Sequence, residues 1–158
     1  MKLRIIKTLV FIALGVALGG FLFSDTQPRT FLQLKGCESV CFSSKELLGL
    51  LSSIGIQKFP TVVPSVIYET DKTIVLKHPT PETPIHYLVV PKKDIKNIGE
   101  ISQADQSYIM DALTVIRKVA IDEKLINYQV ITNGPGQQQV TYLHFHLMAF
   151  PDEGDAQD

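Results

Sequence analysis

Apolar positions form one long block at the start of the chain and shorter, patterned runs after it. From Leu9 to Phe23 the chain is almost wholly apolar, which predicts a single hydrophobic helix within residues 1–23. Residues 24–36 are mostly polar, carry Pro28, and predict a linker. Leu47, Leu48, Leu50 and Leu51 then give an apolar face to a helix starting near Ser43. Ser43 and Glu46 stand at capping-box spacing, in which the hydroxyl and the carboxylate satisfy free N–H groups of the first turn. Gly55 and Pro60 end that segment.

Strand signals follow. "SVIYE" (Ser65–Glu69) and "TIVLK" (Thr73–Lys77) flank a short polar turn and predict a hairpin. "HPTPETP" holds three prolines, whose missing N–H groups exclude a central strand. "HYLVVP" (His86–Pro91) predicts the third strand. Ile109, Met110, Leu113, Ile116, Val119 and Ala120 recur at helical spacing, predicting a long helix from Gln103 to Lys124 that Ser102 and Asp105 start. "INYQVIT" (Ile126–Thr132) predicts a strand, "NGPGQQQ" (Asn133–Gln139) a loop, and "VTYLHFHLMAF" (Val140–Phe150) the last strand. This order predicts an α+β domain with a mostly antiparallel five-stranded sheet and a long helix, preceded by an N-terminal hydrophobic helix. Residues 151–158 form an acidic tail.

Composition changes this picture at the N-terminus. The chain has 158 residues and a net charge of −1, and no basic stripe interrupts it, which excludes nucleic acid as the main partner. Lys2, Arg4 and Lys7 precede the apolar block, and no acidic residue occurs before Asp25. Basic residues before such a block place the N-terminus in the cytoplasm and the domain outside. Residues 1–23 are expected to act as a signal anchor, a transmembrane helix holding a periplasmic or extracytoplasmic domain; a cleaved signal and a cytoplasmic domain are the alternatives. Gly15 and Gly19 form a G-x-x-x-G, a weak pattern in so Gly-rich a run. Cys37 and Cys41 suit a disulfide or two partly buried thiols; as a zinc half-site they lack a second half.

The candidate chemistry lies in the last strand. Side chains alternate along a strand, so Tyr142, His144 and His146 are expected on one face, with Leu143, Phe145 and Leu147 on the core face. The two imidazoles would stand roughly 7 Å apart at Cα, within reach of one small anion or metal ion. Three readings compete: a solvated face without function, a metal site with His86 as third ligand, and phosphate chemistry by a histidine nucleophile.

"YLHFHLM", the loop before it and "PIHYLVVPKKDI" together resemble the histidine triad (HIT) superfamily, in its Hint-like branch of nucleotide hydrolases. The similarity spans roughly residues 60–150, and the HIT-like domain is expected over residues 37–150. The family motif is His-φ-His-φ-His-φ-φ, with φ apolar. The resemblance implies that His144 is the nucleophile, that His146 contacts the phosphate, and that His86 stands near the phosphate pocket. It implies nucleotide-binding roles for Asn133, for Gln138, which faces the phosphate, and for Gln139, His78 and Tyr142. Departures occur at four of these positions or nearby. Tyr142 replaces the first triad histidine, His78 a ribose-binding aspartate, Gln139 a serine beside the leaving group, and Asp94 a histidine after "PKK". Tyr142 is expected to serve as scaffold. Ile67, Tyr68 and Leu76 are candidates for base contact, with core packing as the alternative.

The activity implied is hydrolysis or transfer of a nucleoside phosphoramidate or phosphoanhydride, with no cofactor and no metal. The alternative is a catalytically weak nucleotide- or phosphate-binding module at a membrane. The partners implied are a nucleotide-type small molecule and a second copy of the chain, paired as a homodimer through the long helix and a strand.

Overall fold

The alternating runs in the middle of the chain close into one antiparallel sheet. The computed structural model describes residues 2–32 and 42–151. Cys37, Cys41, the expected boundary between linker and domain at residue 37, and the acidic tail beyond Pro151 lie outside the described residues. Five strands, β1 (Val66–Glu69), β2 (Thr73–Lys77), β3 (Ile85–Pro91), β4 (Tyr128–Ile131) and β5 (Phe145–Ala149), take the spatial order β1-β2-β3-β5-β4. Every neighbouring pair is antiparallel.

Among the described residues three α-helices accompany the sheet: α1 (Lys2–Phe23), α2 (Ser44–Lys58) and α3 (Gln106–Asp122). α3 covers one face. Its Ala112, Val115, Ile116 and Val119 pack with Val75, Val89, Phe145 and Leu147. Each fully buried Val, Ile, Leu or Phe side chain there contributes about 1.5–3 kcal/mol. The opposite face carries Ile74, Leu76, Leu88 and Val90, and is covered by Ile56 of α2 and by Tyr142. His86 and His146 also point to this second face, because they alternate with core-facing Tyr87 and Leu147.

Several boundaries differ from those the sequence predicts. The last strand covers Phe145–Ala149 alone, not Val140–Phe150. Pro91 ends β3 without an N–H to extend the ladder. Thr141 N–H turns instead to the Lys45 carbonyl, and Leu143 N–H to that of Ile95. The capping box expected at Ser43 does not form, since Ser43 makes no side-chain cap bond. Glu46 is drawn to Arg29, 3.6 Å away. A capping box does form at Ser102 and Asp105, on a 3-10 turn (Gln103–Asp105) that leads into α3.

The apolar face of α3 is rotated from the expected one. Met110 and Leu113 are 54% and 44% exposed, while Ala112 and Val115 face the sheet. The small Ala112 side chain allows the helix to approach the strands closely. The end of α1 touches α2, with Lys58 Nζ 5.0 Å from the Phe21 ring centroid; Arg4–Phe23 is long and apolar enough to cross a bilayer by length and composition, and none of that stretch is buried.

Candidate active site

Four imidazoles meet on the sheet face opposite α3. His86 comes from β3 and His146 from β5, where His146 pairs with Leu88 and His86 with Met148. His144 lies just before β5, on the irregular 140–144 segment, and His78 follows β2. Tyr142, His144 and His146 all line one cleft on the face opposite α3, as expected, although only His146 stands on a strand. The turn Tyr142 N–H to Val140 O breaks the alternation before β5 begins, and Tyr142 faces the core with Ile56, Ile74 and Val90.

Hydrogen bonds assign the protons. The Glu82 backbone N–H donates to His86 Nδ1 at 3.2 Å. A backbone amide has no other role, so the proton of neutral His86 sits on Nε2. That Nε2 lies 2.9 Å from His146 Nδ1 and donates to it. His146 in turn carries its proton on Nε2, where the Asn133 carboxamide stands 3.4 Å away. The carboxamide meets that N–H with its oxygen once turned end for end, since its two ends are interchangeable by a half-turn. His144 is fixed in the opposite sense. Its Nδ1–H donates to the Tyr142 carbonyl at 2.7 Å, which leaves the Nε2 lone pair free. The His144 and His146 rings stand edge to face, 4.9 Å apart between centroids. One imidazole thus presents a lone pair, and its neighbour an N–H.

All three are held neutral. Burial is the main cause that lowers the pKa of His86, with the charge of His78 second. Burial likewise lowers that of His144, against the opposing bond to Tyr142 O. His146 is lowered to about 4 by burial and then by His144, His86 and His78. His78 stacks flat on His86, with centroids 4.0 Å apart and planes 7° from parallel.

These rings open into a cleft of about 430 Å³. His78, His144, His146, Asn133, Gln139 and Tyr142 line it, together with apolar Ile56, Leu76, Leu88 and Val90. His86 stands behind His146 as its hydrogen-bond partner. Gln138 is placed differently from the sequence expectation. Its amide donates to the Lys96 carbonyl at 3.0 Å, and its Oε1 is buried with no partner among the described residues. The turn that bonds the Gln137 and Gln138 N–H groups to Gly134 O sends Gln138 inward. Gln137 and Gln139 reach the cleft instead. Gln137 was missed by sequence reasoning; the only signal for it is its place in the "QQQ" run. Of the hairpin candidates, Leu76 lines the cleft, Tyr68 packs with the α3 core, and Ile67 is 38% exposed.

The ligating nitrogens of His78, His86 and His146 lie within 4.8 Å of one another, close enough for a metal ion by distance. Parallel stacking puts the in-plane lone pairs of His78 and His86 in separate planes, so one ion reaches both only if a ring turns.

Residues 57–158 match the protein-family model described as "Scavenger mRNA decapping enzyme C-term binding". A HIT-like protein of Chlamydia muridarum is 34% identical over 85 residues, 52% of this chain and 68% of the relative. The chain belongs to the histidine triad superfamily. Solved histidine triad structures share its fold. A HIT family hydrolase from Clostridium thermocellum is 31% identical with a TM-score of 0.57, over 64% of this chain and 92% of that one. A histidine triad nucleotide-binding protein from Candida albicans is 28% identical with a TM-score of 0.53, over 63% of this chain and 76% of that one. In this histidine triad protein the first triad position, Tyr142, is 2% exposed, and its hydroxyl donates to the Pro91 carbonyl at 2.8 Å. That bond ties the 140–144 segment to the end of β3.

Proposed function

We propose that this histidine triad protein hydrolyses or transfers the nucleotidyl group of a nucleoside phosphoramidate or phosphoanhydride, with His144 as nucleophile. The observation that carries the reading is the opposed protonation of two neighbouring imidazoles in one cleft. The His144 Nε2 lone pair attacks phosphorus, and the bond to the leaving nitrogen or oxygen breaks, forming a nucleotidyl–Nε2 bond. The leaving group takes a proton from solvent as it departs. Water then attacks the same phosphorus and gives up a proton to solvent, the P–Nε2 bond breaks, and the lone pair returns to His144. The His146 N–H and the amides of Gln137 and Gln139 donate to the non-bridging oxygens as charge builds. Leu76, Leu88 and Val90 supply an apolar wall for a base. The names of the Clostridium thermocellum hydrolase and the Candida albicans nucleotide-binding protein support the reading.

Three further parts belong to this proposal. α1 anchors the protein in a membrane, supported by its length and apolar surface. The domain faces the extracytoplasmic side, supported by Lys2, Arg4 and Lys7; a reporter fused after residue 158 tests the side. Two copies pair through α3 and β4, supported by an exposed apolar groove where Leu113, Ile121, Tyr128 and Val130 meet.

A screen of nucleoside phosphoramidates and dinucleotides, with His144→Ala as control, tests the activity. Turnover that His144→Ala abolishes supports the enzyme. Nucleotide binding without turnover supports the binding module, a reading favoured by Tyr142 and His78 standing where the family carries a triad histidine and a ribose-binding aspartate.

A further inference from the structure

Residues 24–36 read as a linker, yet Gln27 and Arg29 are built into the domain. Arg29 forks between two acceptors. One guanidinium nitrogen donates to Asp94 Oδ1 and the other to the Thr141 carbonyl, each at 2.5 Å. The Arg29 and Asp94 side chains are each 1% exposed. Asp94 is also held by Gln27, whose backbone N–H donates to Oδ2 at 2.9 Å and whose side-chain amide donates to the Asp94 carbonyl at 2.8 Å.

This clamp closes on the backbone that sets His144. Thr141 O accepts from Arg29, and Thr141 N–H donates to Lys45 O. Leu143 N–H donates to the carbonyl of Ile95, the residue after Asp94. The carbonyl between them, Tyr142 O, is the acceptor for His144 Nδ1–H. Gly49 of α2 permits the approach: a Cβ there would stand 2.5 Å from Thr141 O and 2.6 Å from Arg29 Nη1. Burying an ion pair costs desolvation that a pair of apolar side chains would not, so stability alone does not account for the clamp.

We infer that Arg29 is a positioning residue: through Thr141 and Tyr142 it holds His144 in the tautomer whose Nε2 lone pair faces the cleft. The chain leaving α1 is thereby part of the site rather than a tether. As a statement about catalysis this rests on His144 being the nucleophile. As a statement about the His144 proton it does not.

The full-length chain is labelled with ¹⁵N-histidine in detergent micelles, and ring nitrogens are read by long-range ¹H–¹⁵N NMR without any substrate. In the unaltered chain His144 shows a single tautomer protonated on Nδ1. In Arg29→Gln, His144 shifts to averaged values of mixed tautomers while His86 keeps its own, because Glu82 N–H still fixes it. Arg29→Lys keeps a charge opposite Asp94 without the planar fork, and gives an intermediate shift; it decides the matter if Arg29→Gln fails to fold. Given a substrate, kcat falls about tenfold with KM unchanged. A folded Arg29 variant whose His144 retains the unaltered ring shifts overturns the inference. Absence of turnover in the unaltered chain overturns the nucleotide reading and leaves this result standing.

Discussion

His86 Nε2 lies 2.9 Å from His146 Nδ1, and the backbone N–H of Glu82 on the far side of His86 decides which of the two nitrogens carries the proton. A main-chain amide of Glu82, itself a residue of the cleft wall, thus sets which ring nitrogen of His146 carries its proton. His86→Ala removes the relay and frees His146 to present either nitrogen. The expected effect is a kcat about tenfold lower, or about 1.4 kcal/mol of barrier, smaller than the loss of a direct donor. Steady-state kinetics of His86→Ala beside His146→Ala checks the order: His146→Ala is the more damaging.

The histidines also make stability depend on pH. The folded-state pKa values of His86, His144 and His146 are all lowered, that of His146 to about 4. The unfolded chain therefore binds more protons below about 6.5, and stability rises with pH through that range. Their contribution is fully present above about pH 6.5 and is lost as the pH falls toward 4. Melting temperatures from pH 4 to 7 are expected to climb, with a flatter climb in His146→Gln. The same shifts keep His144 neutral under mild acid, so activity holds its plateau below pH 6.5.

Tyr142 tests the scaffold role directly. Tyr142→Phe leaves the Pro91 carbonyl buried and unpaired, and is expected to destabilise by about 1–3 kcal/mol. Its kcat stays within a few-fold, because the phenol lies outside the His86–His146 chain. A rise in rate of about tenfold in Tyr142→His would show instead that the position belongs to the proton network. Chemical denaturation and kinetics on the same samples separate the two effects.

Asp105 accepts from Ser102 N–H and Oγ–H, and pairs with Lys93. The Lys93 bond is the main cause that lowers its carboxyl to about 2. Asp105→Asn loses the ion pair and weakens the cap, lowering stability by about 1 kcal/mol with activity unchanged. A denaturation midpoint read above pH 5 measures this.

Local pattern made the strands and α3 legible, because period-two and helical spacing survive in the residues themselves. Which side of α3 faces the sheet was less so: Met110 and Leu113 fit the apolar stripe as well as Ala112 does, and only close packing chooses the smaller side chain. His144, His146, His86, His78 and Asn133 were legible as a cluster through the triad resemblance. The path of residues 140–144 was not, because it depends on partners distant in sequence, Lys45 and Ile95. Arg29 was invisible for the same reason: its acceptors lie 65 and 112 residues away. Gln138 misled because three adjacent glutamines give no sign of which one a turn will bury.

The central claim is that the His144 lone pair makes a bond to phosphorus. Rapid quenching of the full-length protein with a nucleoside phosphoramidate, followed by peptide mass spectrometry, looks for that bond. The expected result is a nucleotidyl adduct on the peptide containing His144, acid-labile and absent from His144→Ala. Turnover with no adduct at any quench time, or turnover that survives in His144→Ala, would contradict it.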